Sequence, residues 1–70
     1  MIDTIALKAI IVLRETTQKE VAIKLGMSPK TFYGKMKKGV FGSDEIEGMI
    51  ELLSINNPID IFFVKKSLGK

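Results

Sequence analysis

The side chains able to do chemistry in this sequence are lysines and carboxylates, and they are segregated along the chain. From Lys19 to Lys38 there are six lysines against one acid, Glu20. From Gly39 to Val64 there are five acids, Asp44, Glu45, Glu47, Glu51 and Asp60, and no base. The formal net charge of +3 conceals this split. The first half offers ammonium donors to a polyanion, and the second repels one. Asp44, Glu47 and Glu51 recur at helical spacing, and paired acids of this kind can hold a cation or move protons. The chain has no His and no Cys, and no Gly-rich loop adjoins these acids, so they read as a solvated face. Without Cys there is neither a disulfide framework nor thiolate chemistry. No nucleophile–base pair is readable, so the chain is not expected to be an enzyme, and no cofactor, metal or small-molecule substrate is expected.

The lysines are carried by Thr17 to Gly39, TQKEVAIKLGMSPKTFYGKMKKG. Thr17 and Glu20 have the spacing of a capping box, which opens a helix running from about Gln18 to Leu25. Val21, Ala22 and Leu25 share one face at helical period, and Ala22 is small enough to let a neighbouring helix approach. Gly26 stops this helix, since a left-handed residue costs least without a Cβ. Ser28 caps the next helix, and Pro29 suits its first position, where no backbone donor is needed. That helix runs to Lys38 and ends at Gly39. With Phe32 and Met36 facing the core, Lys30, Tyr33, Gly34 and Lys37 gather on the opposite face. Gly34 costs about 1 kcal/mol relative to Ala in a helix interior. A close approach to DNA, close packing or tolerated drift each explains it. Two helices joined by a short Gly-containing turn make a helix-turn-helix pattern.

This run resembles the helix-turn-helix of the lambda-repressor/Cro (XRE) family of phage and bacterial DNA-binding proteins. The resemblance is carried by Gln18 after the cap, Ala22, Gly26 in the turn, Ser28 at the second cap and the apolar Phe32. The continuation from Phe41 to Phe63, FGSDEIEGMIELLSINNPIDIFF, is similar to small Gram-positive phage regulators of that family. In all, the likeness covers roughly residues 5 to 63. Two positions depart from it: Gly34 lies inside the second helix, and Pro29 stands where the family often has a polar base-reading side chain.

The resemblance implies an all-α, compact four- to five-helix bundle of lambda-repressor-like type. It implies sequence-specific binding of a double-stranded DNA operator by a small transcriptional regulator in the cytoplasm of a bacterial host. Gln18 would then hydrogen-bond a phosphate and set register. Lys30 can donate to guanine, aided by Tyr33 and Thr31. Lys19, Ser28, Pro29, Gly34, Lys37 and Lys38 complete the expected DNA-binding surface. A module this small needs two copies on adjacent half-sites. The alternative on the same fold is an antirepressor or co-regulator that binds a repressor and has no operator of its own, using the acidic half and the apolar C-terminus.

Seventy residues with 46% apolar content make one domain, expected over residues 1–64, with a flexible basic tail at 65–70. The first helix, capped by Asp3 or Thr4, runs to about Arg14. Ile2, Ile5, Ala6, Ala9, Val12 and Leu13 fall on one broad face, expected to be core. Leu7 and Ile11 then lie nearly opposite, needing the C-terminal segment or another subunit as partner. Lys8 interrupts this apolar stretch, which is too short to span a bilayer and lacks a basic leader, so no membrane partner is expected. Helix four starts at Gly42, Ser43 or Asp44 and turns Ile46, Met49, Ile50 and Leu53 inward. Asn57 and Pro58 open a short last helix to about Val64. Its apolar surplus, Ile61, Phe62 and Phe63, is expected to support a homodimer.

Overall fold

The computed structural model describes residues 2–62, and five helices in chain order account for most of them. They are α1 (Thr4–Leu13), α2 (Gln18–Lys24), α3 (Pro29–Lys38), α4 (Ser43–Leu52) and α5 (Pro58–Phe62). No strand occurs among the described residues, and no helix there is long and apolar enough to cross a membrane. The fold is therefore all-α. Residues 65–70, expected as a tail, Phe63, expected at a dimer interface, and Val64, expected to end the last helix, lie outside the described residues.

Local chemistry starts the first four helices. The Asp3 carboxylate accepts from the Ala6 amide at 3.0 Å and caps α1. The Thr17 hydroxyl accepts from the Glu20 amide at 3.1 Å and caps α2. The expected reciprocal bond from Glu20 is diverted: its carboxylate takes the Thr16 hydroxyl at 2.8 Å instead. Ser28 accepts from the Thr31 amide at 3.2 Å, with Pro29 at the first helical position of α3. At α4 the cap is Gly42, whose amide donates to the Glu45 carboxylate at 2.8 Å.

Four helices end in one way. The amides of Thr16, Met27, Val40 and Ile55 each donate to a carbonyl five residues back, on Ile11, Ala22, Lys35 and Ile50. This closure needs a left-handed residue just before the donor. Gly26 and Gly39 supply it at φ 82° and 72°, Glu15 and Ser54 at φ 57° and 51°. The last two are non-glycine residues, held there against a cost of about 1–2 kcal/mol each. Arg14 supports the end of α4 from outside, its guanidinium donating to the carbonyls of Leu53 at 2.7 Å and Ser54 at 3.1 Å. A cation there also complements the negative end of the helix dipole.

The core is one cluster. Leu7 and Ile11 of α1, Val21 and Ala22 of α2, Phe32 and Met36 of α3, and Met49 of α4 are buried, as are Phe41, Leu53, Ile55, Ile61 and Phe62. The Phe32 and Phe41 rings lie 5.3 Å apart at 52°, a tilted aromatic pair. α2 and α3 pack on each other, and α5 packs on α1. The Asp3 amide donates to the Ile61 carbonyl at 2.7 Å, tying the start of the chain to α5. Gly48 lets α4 close on the end of α2, because a Cβ there would sit 2.7 Å from Leu25 Cδ2.

Two expectations are corrected. α1 is turned about its axis relative to the sequence reading: Leu7 and Ile11 are core, while Ile5, Ala9, Val12 and Leu13 are exposed. Of the expected core face, only Ile2 is buried and Ala6 half-buried. The helix is apolar almost all round, so periodicity alone does not fix its phase. The informative residue is Lys8, one turn from both Ile5 and Val12 and exposed with them. The second correction follows from the first. Ile61 and Phe62, expected at a dimer interface, are buried within the single chain, where α5 meets α1.

Candidate nucleic-acid interface

Phe32 and Met36 set the phase of α3, since both are buried. Their burial turns Lys30, Tyr33, Gly34 and Lys37, spaced three and four apart, onto the outer face. All four are exposed, as are the flanking Thr31 and Lys38. Tyr33 keeps 48% of its surface. The outer face of α3 thus carries three ammonium groups, a phenol and a hydroxyl around a residue with no side chain. Nothing lies within 4 Å of the position a Gly34 Cβ would take. The bare helix there is not needed for packing among the described residues.

The remaining expected residues sit at the helix starts. Ser28 is exposed and Pro29 half-buried at the N-terminus of α3. The Ser28 hydroxyl donates to the Thr31 hydroxyl at 2.9 Å while accepting from its amide. Ser28 and Thr31 are therefore partly occupied by the cap itself. Gln18, half-buried, and Lys19, exposed, are the first two residues of α2. The packing of α2 on α3 joins these positions into one helical pair.

Lys35 is the lysine of α3 that leaves the outer face. Its ammonium lies 2.6 Å from a Glu45 carboxylate oxygen, and both side chains are partly covered. Glu45 is thus shared between Lys35 and the Gly42 amide, one oxygen for each. This pair bridges the basic and acidic halves and was not legible in the sequence, because it spans ten residues and two helices. Its Lys35 hydrogen bond, and next the Gly42 backbone donor, hold the Glu45 carboxyl below the usual carboxylate range, against some desolvation. A depressed folded pKa contributes stability above the ordinary carboxylate pKa, and this is lost as pH falls through the lowered value. Urea midpoints of the parent and Glu45→Gln should therefore differ at neutral pH and converge in acid. The difference is small, under about 1 kcal/mol, for a pair this accessible.

On α4, Asp44, Glu47 and Glu51 are exposed, as expected of an outward acidic face. Beside it a shallow groove is lined by Phe41, Ser43, Ile46, Glu47 and Ile50. The molecule therefore presents a cationic helix face on α3 and an anionic one on α4. Comparisons with protein-family models, with curated proteins and with solved structures find no match for this chain.

Proposed function

We propose that this chain is a small transcriptional regulator of Cro or repressor type that binds double-stranded DNA sequence-specifically. In this reading α2, the turn and α3 form a helix-turn-helix of lambda-repressor-like fold, and α3 enters the major groove. The observation that carries it is the outer face of α3, where Lys30, Tyr33 and Lys37 are exposed around Gly34. Lys30 donates to a guanine edge, and Tyr33 offers its hydroxyl and ring to neighbouring bases. Thr31 adds a hydroxyl at the same end. Lys19, Lys37 and Lys38 meet phosphates, and Gln18 at the start of α2 hydrogen-bonds one and sets register. The work is binding, not catalysis, in the cytoplasm of a bacterial host.

Selection of bound sequences from random duplex DNA, with salt-dependent gel shifts, tests this. Enrichment of one short motif, weakened by salt, is the expected result. A chain that enriches nothing and shifts no duplex at low salt overturns it. The acidic α4 face and its adjoining groove favour the second reading, a protein-interaction module that captures a repressor. That reading predicts capture without any operator-dependent shift.

Gly34 sharpens the proposal. Gly34→Ala should stabilise the free chain by about 0.5–1 kcal/mol, since a methyl there meets no neighbour. If α3 is read at close range, the same methyl meets DNA, and specific affinity falls several-fold. Thermal melting and operator titration on one sample separate the two effects. A variant more stable than the parent and equally tight on DNA removes close approach as the reason for Gly34.

A further inference from the structure

We infer that α4 carries a docking groove for a cationic amphipathic helix of another protein. The inference does not depend on DNA binding by α3, and its test uses no DNA. Two hollows adjoin on α4. One is lined by Phe41, Ser43, Ile46, Glu47 and Ile50, the other by Asp44, Glu47, Gly48, Ile50 and Glu51. Glu47 and Ile50 belong to both, so the hollows form one surface along the helix. The first has an apolar floor, where Phe41 is buried and Ile46 and Ile50 are half-buried. The second carries Asp44, Glu47 and Glu51, all exposed.

Spacing sets the shape of the occupant. Ile46 and Ile50 are four residues apart, and Asp44, Glu47 and Glu51 are three and four apart. Each set therefore makes a row along α4. The two rows run side by side and meet at Glu47 and Ile50. A partner that engages both must carry an apolar row beside a second row, each repeating every three or four residues. That is the pattern of an amphipathic helix laid along a groove. At a rise of about 1.5 Å per residue, α4 is about 15 Å long and matches roughly three turns of such a partner.

Charge sets the sign of the second row. The one salt bridge among the described residues takes Glu45, through Lys35. Asp44, Glu47 and Glu51 have no cationic partner among the described residues, and no base occurs from Gly39 to Val64. A neutral or acidic occupant would cover these carboxylates without compensation, which disfavours it. Lysine or arginine at matching spacing neutralises them, and the stems of those side chains add apolar contact. The apolar floor adds what a merely polycationic chain does not use. A groove one short helix long falls below the roughly 1,200 Å² of a standard stable interface, so binding belongs to the weak, transient class.

An NMR titration of the isotope-labelled full chain tests this. The probe is an amidated synthetic peptide of about 18 residues, long enough to form a helix. It holds only leucine, lysine and alanine, with leucines and lysines in adjacent rows. Saturable amide shifts centred on Phe41 to Leu52 are the expected result. Glu47→Lys should weaken binding by at least about tenfold, since it sets like charges face to face at the seam of the two rows. Glu15→Lys makes the same charge change on an exposed acid outside α4 and should alter affinity by less than about twofold. A peptide with its leucines replaced by serine should also bind at least about tenfold more weakly. Unchanged circular dichroism shows that both variants keep the fold. A parent that gives no saturable shifts at millimolar peptide overturns the proposal, as do shifts centred on another helix. Equal weakening by Glu15→Lys, or a serine peptide that binds as well as the leucine one, reduces the effect to diffuse charge attraction and overturns it too. If only Lys65→Ser with Lys66→Ser lets the peptide bind, the groove's occupant is the chain's own terminal segment. If the parent self-associates without peptide and Glu47→Lys abolishes this, the occupant is a second copy. Either result overturns the proposal.

Discussion

Leu7→Ala should destabilise the fold by about 2–5 kcal/mol, while Ile5→Ala, two positions earlier on the same helix, should change it by less than about 0.5 kcal/mol. Leu7 is fully buried and Ile5 keeps 81% of its surface. Removing Leu7 leaves a cavity beneath α1 that its neighbours fill only in part. Stability for a chain this short is at the low end of about 5–15 kcal/mol, so Leu7→Ala takes a large fraction of it. Urea denaturation of both variants gives the answer directly. Equal losses from the two substitutions would mean that α1 buries both of its faces. A loss at Ile5 alone would restore the phase expected from the sequence.

The contrast between α1 and α3 shows what periodicity can and cannot decide. In α3 the apolar residues are few, and lysines surround them, so Phe32 and Met36 fix the inner face and the outer one follows. The start and stop residues were legible for a related reason: Thr17, Ser28, Pro29, Gly26 and Gly39 act through their own backbones. In α1 the apolar residues go almost all round. The broader apolar face, carrying Ile5, Val12 and Leu13, then faces solvent, and the narrower one, Leu7 and Ile11, faces the core. This also explains the fate of the C-terminal apolar group. With Ile5 and Leu13 counted as core, Ile61 and Phe62 looked surplus. With them outside, α5 is needed to cover α1.

Features that depend on two distant segments were not legible. The left-handed positions of Glu15 and Ser54 carry no glycine to announce them. Arg14 lies at the end of its own helix, but its partners are the carbonyls of Leu53 and Ser54. Lys35 counts in the sequence as one of six lysines of a basic segment, yet it is tied to Glu45. The usable cationic face is thus narrower than the charge count implies. Lys30, Lys37 and Lys38 carry it on α3, and Lys35 serves the fold.

That narrower face leads to the prediction with the largest effect on binding. Lys37→Glu should cut affinity for any duplex by at least about tenfold at low salt, because it replaces a phosphate contact with a repulsive charge. The slope of log affinity against log salt should become shallower by at least about 0.9, the value for one lost phosphate contact. Lys30→Ala should behave differently, costing about 1–3 kcal/mol on the selected operator and relaxing base preference at one position. Gln18→Ala should weaken all sequences about equally. Glu47→Lys with Glu51→Lys reverses charge on the exposed acidic face of α4 and should raise overall affinity modestly without changing the selected motif. The pattern across these variants is the test. If the α3 and α4 substitutions move affinity by equal and opposite amounts, and none alters the motif, the attraction is diffuse and α3 reads no bases. If Lys30→Ala alone shifts the motif, α3 lies in the groove with its N-terminal turn against the base edges. Lys30 is exposed in that first turn of α3, which Ser28 caps.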